Sequence, residues 1–164
     1  LEQGYSVTGV EISPLAVEDF FAENRLSSHI TDLPDACLYT SKHLNIYCAD
    51  FFNVDLTHIP HIDAVYDRAS LIAMPADMRP AYADRLTSLI PAGTRSLLVT
   101  LDYPQEEMDG PPFSVTPDEV RQLFSSRYSI EPLHSEDCLV NEPHFKDKGL
   151  TRLDEHVFML QKLP

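Results

Sequence analysis

The chain has 164 residues, 43% of them hydrophobic, with 12 Lys and Arg against 26 Asp and Glu and a formal net charge of -14. That length suits one domain with a single core, and the composition is that of an ordinary soluble globular protein. The acidic balance argues against nonspecific attraction to nucleic acid or to anionic membrane surfaces. Cys37, Cys48 and Cys138 are an odd, scattered set with no Cys-x-x-Cys and no zinc-finger spacing, so reduced thiols and a cytoplasmic location are expected. No apolar run approaches the roughly 20 residues of a membrane span, and no signal peptide is expected before the first strand.

Leu1 to Tyr5 predicts the tail of a helix that stops at Gly4. Ser6 to Ile12 is rich in β-branched residues and predicts a buried strand that delivers Glu11 at its end. Ser13 and Pro14 follow as cap and first helical residue, with Leu15, Ala16, Phe20 and Phe21 as an apolar helical face. A carboxylate at such a strand end can accept hydrogen bonds from both hydroxyls of a ribose. A Glu before a helix N-terminus is also favoured by the helix dipole alone.

Residues 25–43 are polar, with Asp32, Pro34 and Asp35, and predict a connection with at most a short helix. Leu44 to Cys48 predicts a strand that empties into Ala49, Asp50, Phe51 and Phe52. Asp50 there could accept a hydrogen bond from an exocyclic amine while Phe51 lies flat on a heteroaromatic ring, or Asp50 could be a turn residue beside core phenylalanines. His58 and His61 share a loop at a spacing open to a metal, although two solvated histidines explain it as well.

After a loop containing Pro60, Ile62, Ala64 and Val65 predict a short buried strand, with Asp67 and Arg68 at its mouth as an ion pair or a binding edge. In an open α/β sheet, ligands bind outside the carboxyl ends of the strands, so charged residues there are the first candidates. Ala76 to Ile90 predicts a helix with Tyr82, Leu86, Leu89 and Ile90 on one face, closed by Pro91-Ala92-Gly93. Ser96 to Leu101 is the clearest buried strand, and it runs into Asp102, Tyr103 and a Pro-rich loop suited to covering a substrate. Thr116 and Glu119 are placed as a capping box. Two strands, Tyr128 to Leu133 and Glu155 to Leu163, then close the chain as an antiparallel pair, with a loop carrying His144 and Lys146 between them. Hydrolase, phosphate-loop and zinc-protease motifs are absent.

The order strand-Glu, strand-Asp, strand-Asp-Arg, strand-Asp-Tyr resembles methyltransferases that use S-adenosylmethionine on a Rossmann-like sheet. The segments VTGVEISPLAVEDFFAEN, YCADFF, YDRASLIAMP and LDYPQEEMDGPPFSV resemble, in combination, the thiopurine S-methyltransferase family in its bacterial form. The resemblance implies an α/β fold: a mostly parallel sheet with an antiparallel C-terminal strand and helices on both faces. It implies that Glu11 holds the cofactor ribose, that Asp50 and Phe51 border its adenine, and that Arg68 lies near both cofactor and substrate. By the same resemblance Asp102 and Tyr103 fall where an aromatic thiol enters, and bacterial members act on selenium or tellurium compounds.

The family's first strand, its Leu-Cys-Gly-Lys-Ser type loop and an N-terminal aromatic segment have no match here, so residues 1–164 are expected to form a single methyltransferase domain without its N-terminal part. The expected reaction is methyl transfer to the sulfur of an aromatic or heterocyclic thiol, with Arg68 and Asp102 as catalytic residues and a small-molecule partner on a monomer. A nicotinamide oxidoreductase would also use Glu11 on a ribose but leaves Asp50, Phe51 and the loop after Asp102 without a purpose. A noncatalytic nucleotide-binding fragment is the alternative from another class.

Overall fold

The structure is a computed structural model that describes residues 3–56, 59 and 62–164. Its backbone forms two compact units, Leu1–His58 and Ile59–Pro164, each with its own four-stranded sheet.

In the first unit, β1 (Val7–Glu11) leads into α1 (Pro14–Glu23), followed by β2 (His29–Asp32), β3 (Cys37–Ser41) and β4 (Leu44–Cys48). Ser13 caps α1 as its sequence predicts, its Oγ accepting from the Ala16 N–H at 3.3 Å. The buried helix face is Val17 and Phe21, four residues apart, while Leu15 and Phe20 are exposed. Of the expected face Phe21 is buried as read, and Val17 rather than Leu15, Ala16 or Phe20 joins it, because Val17 and Phe21 are the residues that meet Tyr39 and Leu44. The Phe21 and Tyr39 rings stack at 5.8 Å.

The sheet order is β1-β4-β3-β2, with β1 parallel to β4 and the other pairs antiparallel. β1 is exposed to half-buried rather than buried, and β4 is its one strand partner among the described residues. Residues 25–43 hold a β2–β3 hairpin where a connection was expected. Asp32, Pro34 and Asp35 mark its turn, closed by the Leu33 N–H donating to the Ala36 carbonyl at 2.8 Å. Their polarity masks the strand character of Cys37-Leu38-Tyr39-Thr40 beside them.

The second unit contains β5 (Ala64–Asp67), α2 (Ser70–Ala73), α3 (Arg79–Leu89), β6 (Arg95–Asp102), α4 (Pro117–Phe124), β7 (Tyr128–Asp137), α5 (Pro143–Asp147) and β8 (Asp154–Lys162). The order is β5-β6-β8-β7, with β5 and β6 parallel and β8 antiparallel to both its neighbours. The antiparallel closing pair is therefore present, and β8 inserts between β6 and β7. Leu98, Val120, Phe124, Phe158 and Leu160 are buried in this unit. Tyr82, Leu86 and Ile90 face inward from α3 and its end, as the spacing predicts, and Gly93 takes the left-handed φ of 83° that ends the turn.

Across both sheets two strand pairings are parallel and four antiparallel, and the β2–β3–β4 meander accounts for two of the latter. At α4 half of the capping box forms: the Glu119 N–H donates to Thr116 Oγ1 at 3.2 Å. The Glu119 carboxylate turns away to the buried Arg79, accepting from Nη1 at 2.7 Å. Arg79 also donates from Nε to the Met74 carbonyl at 2.9 Å, so this pair clamps α3 to α4.

Candidate active site

In the first unit β1 and β4 end together, because Glu11 lies opposite Cys48 in the parallel register. Glu11 and the turn after β4 therefore leave the sheet at one end. Glu11 Oε1 accepts from the Ser13 N–H at 2.8 Å, and its backbone carbonyl accepts from Ala49 N–H at 2.9 Å. Its Oε2 has no hydrogen bond to a described residue, which leaves an acceptor free for a diol.

Asp50 is more committed. Its Oδ1 accepts from the Phe52 N–H at 2.9 Å and its Oδ2 from Asn53 Nδ2 at 2.6 Å, so the carboxylate folds its own turn. The half-buried Phe51 ring meets Phe52 edge to face at 5.9 Å. The groups at this end of the sheet, one Glu11 carboxylate oxygen without a partner among the described residues and a half-buried aromatic ring in the turn after β4, fit the ribose and adenine of a nucleoside.

In the second unit β5 ends on Asp67, which is only 4% exposed. Its Oδ1 accepts from the N–H groups of Ser70 and Leu71 at 3.1 and 3.2 Å, and its Oδ2 from the Tyr82 hydroxyl at 2.7 Å. Burial raises the Asp67 pKa above the usual carboxylate value, against the lowering effect of these three donors. The Tyr82 phenol is pushed far up, by burial first and then by the Asp67 charge. The sequence left two uses open for Asp67 and Arg68, an ion pair or a binding edge, and Asp67 is instead spent on Ser70, Leu71 and Tyr82. It starts α2 from inside the core.

Arg68 is exposed, with no hydrogen bond or ion pair to another described residue. Asp67 pairs in register with Leu98, and β6 runs on past that point to Asp102. Asp102 Oδ1 accepts from Arg152 Nη2 at 2.9 Å, while its Oδ2 stands 3.6 Å from His156 Nε2. That His156 nitrogen is buried without a hydrogen-bond partner, and Arg152 also pairs with Asp154.

Tyr103 is turned inward. It is 2% exposed, packs against Leu150 and Leu153, and donates its hydroxyl to the Pro112 carbonyl at 2.6 Å. Its N–H donates to Ser114 Oγ at 3.0 Å, and Gln105 Oε1 accepts from the Ser114 N–H at 2.9 Å. These bonds give the Pro-rich loop its shape. Gly110, at φ 79°, lies against the Phe113 ring, which a Cβ there would meet at 2.5 Å.

Glu11, Asp50 and Phe51 thus share one end of the first sheet, and Arg68, Asp102 and Tyr103 the ends of a parallel pair in the second unit. Arg152 and His156 beside Asp102 were not foreseen from local patterns, because the β6–β8 pairing brings that part of the chain to Asp102. The His58 and His61 pair lies outside the described residues. Among the described residues no cluster of three or more His, Cys, Asp or Glu could hold a metal ion.

The chain has the α/β, Rossmann-like fold of S-adenosylmethionine-dependent methyltransferases, here with charged residues at the ends of its parallel strand pairs. Two solved structures share it: a methyltransferase of that kind from Methanosarcina mazei (TM-score 0.65, 16% identity, 98% of this chain and 84% of that one), and the N-methyltransferase NodS from Bradyrhizobium japonicum in complex with S-adenosylhomocysteine (TM-score 0.59, 10% identity, 94% of this chain and 65% of that one). More particularly, the chain belongs to the thiopurine S-methyltransferase family, whose sequence profile matches residues 1–163. The thiopurine S-methyltransferase of Nitrosospira multiformis is 45% identical over 159 residues, spanning 97% of this chain and 72% of that protein. Members of the family are enzymes whose cofactor is S-adenosylmethionine.

Proposed function

We propose that this protein takes part in methyl transfer from S-adenosylmethionine to the sulfur of an aromatic or heterocyclic thiol of the thiopurine kind. The observation that carries the reading is Arg68, an exposed guanidinium without a partner among the described residues, at the end of a parallel strand in a chain of this family. When bound, the cofactor supplies an electrophilic methyl group on a sulfonium. Glu11 holds the ribose through Oε2, and Phe51 packs on the adenine, with Asp50 holding that turn in shape.

Arg68 orients the acceptor and favours its thiolate by charge. The proton leaves the thiol to water or to Asp102 Oδ2, the oxygen of that carboxylate without a hydrogen bond. Sulfur is a good nucleophile once deprotonated, so alignment and exclusion of water do most of the work. The Pro-rich loop after Asp102, held by Tyr103 rather than bearing a ligand on it, serves that exclusion. Selenium or tellurium compounds are acceptors of the same soft chemistry, and the partner is a small molecule on a monomeric cytoplasmic chain.

Calorimetry with S-adenosylhomocysteine tests the cofactor, on this chain and on a version extended by the family's N-terminal strand. Binding at micromolar concentration supports the reading, whereas preference for a nicotinamide dinucleotide in both overturns it. Binding without methylation of any thiopurine by the extended version favours a noncatalytic domain.

A further inference from the structure

We infer that Cys37 and Cys48 form a dithiol site that closes to a disulfide under a hydroperoxide, on the end of the sheet that carries Glu11 and Asp50. The two cysteines are direct partners in the antiparallel β3–β4 register. Directly opposed residues on neighbouring strands point to the same face, with Cα atoms about 4.5–5.5 Å apart, and a disulfide needs about 4.4–6.8 Å. Backbone geometry therefore already meets the requirement that most pairs of cysteines fail.

A single transverse row crosses the sheet here: Glu11 opposite Cys48, Cys48 opposite Cys37, and Cys37 opposite Asp32. Both thiols are free and half-buried, at the rim of the cluster formed by Val17, Phe21, Tyr39 and Leu44. The carboxylates at the two ends of the row set the chemistry. Cys37 Sγ donates to Asp32 Oδ1 at 3.4 Å, and this bond is the main cause that raises its pKa, followed by burial. Cys48 is raised by burial first and then by the charges of Glu11 and Glu18. Few thiolates exist at neutral pH, so the pair is held reduced and inert until an oxidant meets the minor thiolate form.

The step balances as two thiols plus one hydroperoxide giving one disulfide, one water and one alcohol, or two waters from hydrogen peroxide. One thiolate attacks the peroxide oxygen and becomes a sulfenic acid; the second thiol then attacks that sulfur, water leaves, and the S–S bond forms. Proximity makes the second attack intramolecular. This inference does not depend on what the edge binds.

The folded protein is treated with hydrogen peroxide, free thiols are counted after denaturation, and peptides are mapped by mass spectrometry. The result expected is a fall from three free thiols to one, a loss of two hydrogens in mass, a peptide joining residues 37 and 48, and full reversal by dithiothreitol. A Cys138→Ser variant should lose both its thiols in the same way, and the reaction should speed up severalfold between pH 7 and 8.5. Three thiols persisting, oxygen added to one cysteine without a link, or a dimer joined through Cys37 or Cys48 would each overturn the inference. The mapping on the unsubstituted protein stands even if a Cys37→Ser variant fails to fold.

Discussion

β5 and β6 form one parallel pair, with β5 ending on Asp67 opposite Leu98 and β6 running on to Asp102, and their ends treat their charges in opposite ways. At the end of β5 the acid turns inward and the base stays free: Asp67 is bound by two backbone N–H groups and Tyr82, and Arg68 is exposed without a partner among the described residues. At the end of β6 the acid is held from outside by Arg152, and the aromatic residue after it is buried in the loop. A strand end therefore does not make a residue available. What its neighbours leave unsatisfied does, and by that criterion Arg68 and Glu11 Oε2 stand out.

The contrast is open to test, beginning with its largest expected effect. Asp67→Ala removes the acceptor of three donors, two of them buried, and should cost about 2–3 kcal/mol of stability, read as a lower urea midpoint. An unchanged midpoint would remove the structural reading of Asp67. The pH dependence carries a sign as well. Because burial raises the folded Asp67 pKa above its ordinary value of 3.8, the native state binds more protons than the unfolded one in the window above that value. Stability from this residue is thus full below it and declines as pH rises. Asp67→Asn should gain stability relative to the wild type between pH 4 and neutrality, and a variant that loses ground to the wild type over that window would contradict the burial effect.

Arg68→Ala comes next. It should lower kcat/KM for a thiopurine by at least about tenfold, or about 1.4 kcal/mol, with the thermal midpoint unchanged. Intact kinetics would sink its role, and a lost midpoint would show that the arginine is structural after all. Tyr103→Phe should cost about 1 kcal/mol of stability through the lost bond to Pro112 and leave thiol affinity nearly as it was. A KM rising tenfold without destabilisation would restore Tyr103 as a substrate contact. The smallest stability effect belongs to Asp102→Asn, under about 1 kcal/mol, because its partner Arg152 is substantially exposed. Any larger fall in turnover from that variant assigns Asp102 to the proton.

Local signals were legible wherever one residue type decides the outcome. Ser13-Pro14 set the start of α1 and Thr116-Pro117 that of α4, and Leu44 to Cys48 was a strand from end to end. The β2–β3 hairpin was hidden because its turn residues dominate the composition of residues 25–43. The candidate site divides along the same line: Glu11 and Arg68 could be named from their place at strand ends, whereas the commitments of Asp50, Asp102 and Tyr103 could not be read from it.

By itself, the sequence determined the family through the combined segments around Glu11, Asp50, Arg68 and Asp102, and it determined most helices and strands, since caps and apolar spacing act over a few residues. Tertiary structure alone decided which side chains remain free. Asp67 meets Tyr82, Asp102 meets Arg152, Glu119 meets Arg79 and Cys37 meets Cys48 across strands and helices. Those partners are separated along the chain by 11 to 50 residues. No local pattern encodes such meetings; the pairing of strands and the burial of whole faces bring them about.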